Sequence, residues 1–386
     1  MSFNFSMVGT LSLPKETEKF HPYEERVTEK GWQMKTLRFS ARCGDNTHIL
    51  QVRSGNWADG HGDIFTSKVV DRKYEPLRVP FAERDKESWI SQVASNRKFV
   101  IDLDMPTRRE ALEKAVEGLK TGKVFTDEEL RAMGVKSEED IPKAYEESKA
   151  KRMEYISEYD FIDSLKEIIE GSAYADKLFR ITGSAEYSYS EQTQQWYENY
   201  VPNKVYLSSA SEPSSTANFK LMFSSDSWDE LSRDELNKIF IKGWHREYIN
   251  TQTRKGQFNV PVSVVVYTKD VKEKKIDLIK KKFDVTGDKV YELSITVDML
   301  NGSQRTKITE EDLTEEERDE LECGLLSWSD IYRSHGNAVF GDRVKEFRFN
   351  KYAENKAPQE TAFTVDDMQM PPLEEKEESL FDDDDI

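Results

Sequence analysis

Two long parts of this chain alternate between apolar and polar residues at every second position, which is the pattern of β-strands. In the first part, Trp32 to Arg42 and Thr47 to Arg53 follow this pattern on either side of the turn Gly44-Asp45-Asn46 and predict a β-hairpin. Phe3 to Leu13 predicts a strand that precedes this hairpin. Shorter strands are predicted at 64–71 and 98–103.

The second β-patterned part follows Tyr174. Its predicted strands cover 177–190, 194–209, 217–225, 238–250, 260–268 and 289–300. Their lengths and spacing are typical of a small Greek-key barrel or a sandwich. Between the last two strands, the basic segment Val271 to Asp284 predicts a helix with one apolar face. A final helix is predicted at 314–336 and a short strand at 344–349.

A helical pattern separates the two parts. Capping residues and glycines delimit helices at 108–122, 126–134 and 137–171. Glu and Lys are abundant and apolar positions are sparse, which indicates helices that pack only partly on the rest. The predicted fold is therefore α+β, mainly β. Its regions are an N-terminal β region (1–104), a helical insertion (105–172), a second β region with a C-terminal helix (173–352) and a tail (353–386).

The end of the chain is strongly acidic. Residues 360–386 hold eleven acidic side chains and one lysine, whereas the whole chain has a formal charge of −18. The preceding 359 residues therefore carry −8, which is compatible with a locally cationic face. Prolines, few apolar residues and the acidic run predict no fixed structure beyond Tyr352, and in particular a disordered tail from Glu374 to Ile386.

Cysteine content and apolar runs indicate the compartment. Cys43 and Cys323 are the only cysteines, and their spacing predicts neither a disulfide framework nor a zinc site. The first residues lack the basic region of a secretory signal, and no apolar run approaches the ~18 residues of a membrane span. We therefore expect a protein of the reducing cytoplasm that is not attached to a membrane.

Sequence signatures of common enzymes do not occur. Gly118 to Lys123 is one residue too short for a phosphate-binding loop and follows a helical pattern where a strand is required. Asp102 and Asp104 end a predicted strand, where two carboxylates could hold a divalent cation, but they also suit a solvated strand end before Pro106. We expect no enzymatic activity, cofactor or metal. The least favoured functional alternative is a metal-dependent nuclease that uses these two aspartates.

Aromatic and basic residues are interleaved on the predicted strands. Single-stranded nucleic acid is bound by flat rings that stack on bases and by cations that follow the backbone, so this mixture indicates a binding groove. In Trp32 to Arg42 the even-numbered positions share a cationic and aromatic face, whereas the odd-numbered ones are mostly apolar. Ordinary sheet packing explains any single tyrosine equally well. The candidate binding residues are Trp32, Lys35, Arg38, Arg42, Arg53, Trp57, Arg180, Tyr187, Tyr189, Trp196, Tyr197, Lys204, Lys242, Trp244, Arg246 and Tyr248.

Several segments together resemble the OB-fold single-stranded DNA-binding proteins of bacteria and bacteriophages. They are the opening strand FSMVGTLSL, the hairpin from Trp32 to Arg53, the strands RITGSAEYSYS and KIFIKGWHREYIN, and the terminal LFDDDDI. The resemblance implies OB-like Greek-key barrels that bind single-stranded DNA. It also implies an acidic tail that docks replication and recombination proteins or occupies the empty DNA groove. The bacterial tails end in Pro and Phe, which are missing here. The tail residues concerned are Phe381, Asp382, Asp383, Asp384, Asp385 and Ile386.

The leading interpretation is a non-enzymatic protein that binds single-stranded DNA without strong sequence specificity in phage replication or recombination, in the host cytoplasm. Aromatic stacking and a cationic groove would hold the strand, and the acidic tail would regulate binding or dock partners. The alternative is a protein of a different functional class, namely a structural or assembly protein of the virion or of the phage tail. The sequence leaves open the oligomeric state, the choice between DNA and RNA, and whether there are one or two barrels.

Overall fold

The structure, a computed structural model, describes residues 3–190, 192–250, 255–305, 313–334, 340–354 and 357–369. Its strands are β1 (Phe3–Ser12), β2 (Tyr23–Val27), β3 (Trp32–Cys43), β4 (Asn46–Trp57), β5 (Asp63–Val70), β6 (Lys73–Pro80), β7 (Phe99–Asp102), β8 (Arg152–Tyr155), β9 (Phe179–Ser190), β10 (Gln195–Leu207), β11 (Ser214–Phe223), β12 (Trp228–Asp229), β13 (Lys238–Asn250), β14 (Lys255–Tyr267), β15 (Lys289–Arg305), β16 (Phe340–Tyr352) and β17 (Gln359–Thr364).

Short helices connect these strands. They are α1 (Glu87–Ile90), α2 (Pro106–Lys120), α3 (Asp127–Ala132), α4 (Ile141–Ala150), α5 (Glu158–Glu170), α6 (Arg233–Leu236), α7 (Glu273–Phe283), α8 (Glu315–Glu322) and α9 (Trp328–Ser334). Within the described ranges, none of them combines the length and the apolar character that crossing a bilayer requires.

The strands β1, β3, β4, β9 and β10 close into a ring, which we call the first barrel. β1 pairs with β3, β3 with β4, β4 with β10, β10 with β9, and β9 again with β1. Only the contact between β4 and β10 is parallel, at Leu50 and Tyr200. A sheet that closes on itself in this way encloses its own core. The helix α5, which lies between β4 and β9 in the chain, contributes the buried residues Phe161, Ile162 and Leu165 to that core.

Five later strands close into a second ring with the same order, the second barrel. β11 pairs with β13, β13 with β14, β14 with β16, β16 with β15, and β15 again with β11. Again only the contact between the third and the last strand of the ring, β14 with β16, is parallel. A helix again precedes the fourth strand, since α7 inserts Ile276, Ile279 and Phe283 into the core.

The two barrels share one core. Their first strands, β1 and β11, pair antiparallel from Asn4 opposite Asn218 to Val8 opposite Ser214. Phe3 stacks on Phe219 with ring centroids 4.8 Å apart. Because equivalent strands pair antiparallel, the barrels are related by an approximate twofold axis. The two β regions that the sequence predicts separately, 1–104 and 173–352, are therefore joined in a single sheet and core.

Most predicted strands are confirmed, including the hairpin of β3 and β4. The prediction of one helix over 137–171 is wrong, because residues 152–155 form the strand β8, which pairs antiparallel with β7. Its Met153 and Tyr155 pack against the main core, and Ser157 then caps a new helix by accepting a hydrogen bond from the Tyr159 amide. The predicted helix over 314–336 is also two helices, separated at Gly324, which has a φ of 70°.

The helical insertion is confirmed for α2, α3 and α4, which enclose a small separate core. Its members are Leu112, Ala115, Leu130, Met133, Val135, Ile141 and Ala144. The prediction that structure ends at Tyr352 is wrong, since β17 pairs with β15 and Met368 is buried. Three apolar residues, Phe363, Val365 and Met368, hold this segment on the second barrel. The predicted disordered tail from Glu374 to Ile386, with Phe381 and the four aspartates, lies outside the described residues.

His48 connects the barrels and leads to a pH prediction. It lies on β4, is 1% exposed and forms a 2.9 Å hydrogen bond with Ser215 of β11. Burial lowers the pKa of His48 from 6.5 to about 4. In this interval the unfolded chain binds the proton more readily than the folded one. Stability should therefore be lost as the pH falls from about 6.5 to about 4, by up to about 3 kcal/mol.

The measurement is the free energy of unfolding in urea across this pH range, compared with His48→Gln. Glutamine retains a polar group for Ser215 but does not titrate. The variant should lose less stability on acidification than the unchanged chain. Equal losses would show that His48 is not the titrating group.

Candidate nucleic-acid interface

The even-numbered residues of β3 lie on the side of the hairpin away from the core, where Trp32 and Arg42 are exposed at the two ends and Thr36 and Ser40 between them are buried. Leu37, Phe39 and Ala41 on the opposite face are completely buried, which confirms the alternation predicted from the sequence. Residues directly opposite each other in antiparallel strands share a face. Since Arg53 pairs with Thr36 and Trp57 with Trp32, both belong to this outer face of the first barrel. The remaining candidates on it are Arg38 and Arg42.

Aromatic rings cluster at one end of this outer face. Trp32 and Trp57 meet edge to face with centroids 5.3 Å apart, and Trp32 is 38% exposed. His61 stacks on the other side of Trp57 at 4.9 Å. Gly55 lies beneath Trp32, where a Cβ atom would approach the indole to 2.7 Å. The absence of a side chain at position 55 thus lets the Trp32 ring lie flat against the strand. The sequence did not predict His61, because its stacking depends on the loop after β4.

Arginines occupy the rest of this face. Arg42 and Arg53 are exposed, and the Arg53 Nε lies 3.0 Å from the Met34 sulfur. Arg38 is held more firmly, since it donates to Gln51 and to a backbone carbonyl and lies 3.4 Å from a carboxylate of Glu24.

Sequence reasoning missed one further arginine, Arg26. It lies on β2 opposite Met34 and therefore shares the outer face. The alternation of YEERV was the available signal, but the segment is only five residues long. One acidic residue, Glu24, accompanies these arginines and pairs with Arg26 at 3.1 Å.

Lys35 does not belong to this face, contrary to the prediction. It lies on the core side of β3, and its ammonium group is 2.6 Å from a carboxylate oxygen of Asp163 and 3.9 Å from the centre of the Tyr159 ring. Burial alone would lower the pKa of Lys35, but the hydrogen bond and the charge of Asp163 raise it. Its odd-numbered position already indicated the inner face. The lysine fixes α5 on the barrel and leaves no charge for a phosphate.

The hairpin of β9 and β10 carries the second aromatic group. Tyr189 and Trp196 lie opposite each other near its tip, with centroids 5.0 Å apart. Tyr197, at 46% exposure, is open to solvent. Tyr189 and Trp196 therefore share one face of the hairpin, whereas Tyr197 belongs to the other, so the connection between the fourth and fifth strands carries aromatic rings on both sides.

Tyr187, predicted as a binding residue, is instead a packing residue. Its ring lies 6.2 Å from Phe3 and 6.1 Å from His245, and its hydroxyl donates to Glu198 over 3.4 Å. Burial raises the pKa of Tyr187 well above its usual value and also raises the pKa of Glu198. This tyrosine therefore fills the junction between the barrels.

Arg180 and Lys204 lie at the opposite end of the same hairpin. Arg180 is opposite Tyr206, nine positions along β9 from Tyr189, which corresponds to roughly 30 Å of strand. Lys204 is half-buried beside β7. The structure does not bring these two cations together with the aromatic tip.

The four candidates on β13 occupy the equivalent outer face of the second barrel. Lys242 is paired with Asp229 at 2.6 Å, and Tyr248 is 49% exposed. Trp244 and Arg246 are contacted by residues 359–368, which we call the C-terminal strap. This face therefore differs from that of the first barrel, because the chain itself covers part of it.

Asp102 and Asp104, the carboxylates considered for a metal site, are both occupied by arginines. Asp102 is completely buried and accepts two 2.6 Å hydrogen bonds from Arg109. Asp104 accepts one from Arg108 at 2.5 Å. Among the described residues, no group of three potential metal ligands occurs. The pair therefore anchors the start of α2 on β7, and the expectation of a solvated strand end is wrong, since both aspartates are buried.

Comparison with known proteins adds little to this geometry. No protein-family model matches the chain, and no curated protein matches it either. Among solved structures, the chain is similar to a deletion mutant of the single-stranded DNA-binding protein from Thermus aquaticus. The identity is 9% and the TM-score 0.29, over 78% of this chain and 86% of that one. At this level of similarity the comparison assigns neither fold nor function.

Proposed function

We propose that the chain is a non-enzymatic single-stranded DNA-binding protein with two OB-like barrels. An OB-fold is a five-stranded Greek-key barrel that binds oligonucleotides on the face of its second and third strands and on the loop between its fourth and fifth. In the first barrel these elements are the hairpin of β3 and β4 and the tip between β9 and β10. One observation carries the proposal: exposed aromatic rings lie at both of these places, and on the hairpin of β3 and β4 exposed arginines accompany them.

Each part of the surface has a physical role. Arg42 and Arg53 attract phosphates, which provides affinity without sequence preference. Trp57 with Trp32, and the exposed Tyr197 near the tip of β9 and β10, offer π-faces on which any base stacks, at about 1 to 3 kcal/mol per base. Few rings are needed once charge has brought the strand close. The proposed activity is therefore weakly sequence-specific binding that weakens steeply with salt.

We further propose that the acidic end of the chain modulates this binding. Residues 374–386 carry eight acidic side chains and one lysine and follow the described part of the chain closely, so their local concentration near the barrels is high. They would compete with phosphates for the arginines and offer Phe381 and Ile386 to proteins of DNA replication or recombination. A phage origin and the host cytoplasm belong to the same proposal.

One observation favours a second candidate, a structural or assembly protein. The hairpin of β5 and β6 forms a separate two-stranded sheet whose Ile64, Leu77 and Val79 pack inward. Its other side exposes Phe65 at 81% and Tyr74 at 62%. Exposed apolar surfaces mark protein contacts when they are contiguous. This candidate would be favoured if the chain sedimented as a large assembly in the absence of nucleic acid, or if it copurified with virus particles.

Removal of residues 374–386 tests the tail. Oligo-dT should quench the tryptophan fluorescence of the unchanged chain at low salt, and added salt should reverse the quenching. The shortened chain should bind more tightly, because the competing anion is gone. No quenching in either chain would contradict the proposed function, whereas equal affinity of both chains would contradict only the role of the tail.

Replacement of single cations tests the binding face. Arg53→Ala and Arg42→Ala should each reduce the slope of log affinity against log salt by about 0.7, the value for one phosphate contact on a single strand. Trp57→Ala should weaken binding by about 1 to 3 kcal/mol with little change in the slope.

Lys35→Met is the matched control, because it removes one positive charge from the core side of β3, the strand that also carries Arg42. Its salt slope should equal that of the unchanged chain, whereas its stability should fall with the loss of the Asp163 contact. If Lys35→Met and Arg53→Ala changed the slope equally, the assignment of the outer face would be wrong.

A further inference from the structure

The repeated strand order gives the second barrel its own counterpart of the proposed binding face. β13 and β14 are its second and third strands, as β3 and β4 are those of the first. The inner positions Ile239 and Ile241 are completely buried, so the even-numbered residues of β13 point outward. They again combine rings with cations. These residues are Phe240, Lys242, Trp244, Arg246 and Tyr248.

The C-terminal strap lies across this face. Phe363 packs over the guanidinium of Arg246, with 4.5 Å from the carbon to the ring centre. Asn259, which is opposite Arg246 on β14, donates a 2.9 Å hydrogen bond to the carbonyl of Asp367. Met368 is buried in a cluster to which Trp244 also belongs. The strap therefore contacts Trp244 and Arg246, the ring and the cation to which a nucleotide on this face would bind.

A groove continues beyond the strap along the same face. Its volume is about 580 Å³, and it is lined by Lys242, Trp244, Pro261 and Ser263. Val365 of the strap forms one of its walls. The strap thus fills one end of a longer depression and leaves the other end open.

The strap is attached by a short and irregular pairing. β17 pairs with β15 at Lys289, Tyr291 and Glu292, with a shift of register between the first two, and Thr361 and Val365 add hydrogen bonds to the carbonyls of Val290 and Asp288. Among the described residues 357–369, Met368 alone is buried. Asp366 and Asp367 are exposed, and the Asp367 carboxylate accepts hydrogen bonds from the Thr364 amide and hydroxyl. The Phe363 ring on the Arg246 guanidinium occupies the position that a stacked base would take on the same cation.

We infer that the outer face of β13 and β14 is a second site for single-stranded nucleic acid, which the strap keeps covered in the unchanged chain. The inference rests on the proposed function of the first barrel. Oligonucleotides occupy the open first barrel while the strap is in place, and they extend onto the second barrel once the strap is released. The strap is distinct from the acidic tail, since its anchors are Phe363 and Met368.

Met368→Asp in the full chain tests this inference, because it replaces the one buried anchor by a charge. Ala362→Asp is the matched control, since it adds the same charge at an exposed position of the strap. The measured quantity is the length of oligo-dT occluded per chain at saturation. Met368→Asp should increase it by about 4 to 16 nucleotides, the contribution of one OB-like barrel. Ala362→Asp should leave it unchanged, and Arg246→Ala added to Met368→Asp should remove the increase.

Circular dichroism shows whether Met368→Asp folds. If it does not, Phe363→Ala replaces it in the experiment, because this variant loosens the strap without introducing a buried charge. Folded variants that occlude the same length as the unchanged chain would overturn the inference. An unchanged chain that binds no oligo-dT would overturn the proposed function instead, so the two failures are distinguishable.

Discussion

The antiparallel pairing of β1 with β11 determines how the rest of the molecule is arranged. β1 uses one edge for two partners, β11 at Asn4–Val8 and β3 at Thr10–Ser12, while β9 covers the other edge. At Gly9, between the two partners, a Cβ atom would lie 2.4 Å from the carbonyl oxygen of Arg42. Gly243 of the second barrel has a similar restraint, at 2.3 Å from the carbonyl of Met222. Glycine at these crossings lets each first strand close its own barrel and still join the other.

This shared pairing also explains which polar residues are buried. His48 lies beside Ser215, and His245 of the second barrel lies among Phe3 and Tyr187 of the first. Residues that looked like binding groups in the sequence, Tyr187 above all, are needed to fill the junction. The surface that remains for a ligand is therefore on the far side of the hairpins, where the outer faces of β3 with β4 and of β13 with β14 lie.

Sequence patterns predicted the strands well and the assembly poorly. The alternation of Trp32 to Arg42 identified both the hairpin and its outward face, because a two-residue period directly reports one buried side. The same period placed Lys35 on the inner side, where its charge is paired with Asp163. Nothing local in the sequence reveals that β4 meets β10 or that β14 meets β16. The two barrels repeat the same order of strand pairing but not the same amino-acid sequence. This repeat can therefore be recognised only in the structure. The strap was missed for a related reason, since its three apolar anchors are scattered among acids and prolines.

The two barrels share the same strand order but differ in how much of their outer face is exposed. One presents its arginines and tryptophans openly, and the other has its equivalent face partly covered by the same chain. Photochemical cross-linking of oligo-dT to the full chain, followed by mapping of the modified residues, tests this account most directly. Cross-links are expected in β3 and β4, around Trp32 and Trp57, and at the tip with Trp196 and Tyr197. Cross-links confined to the helices α2 to α4 or to the hairpin of β5 and β6 would contradict this account.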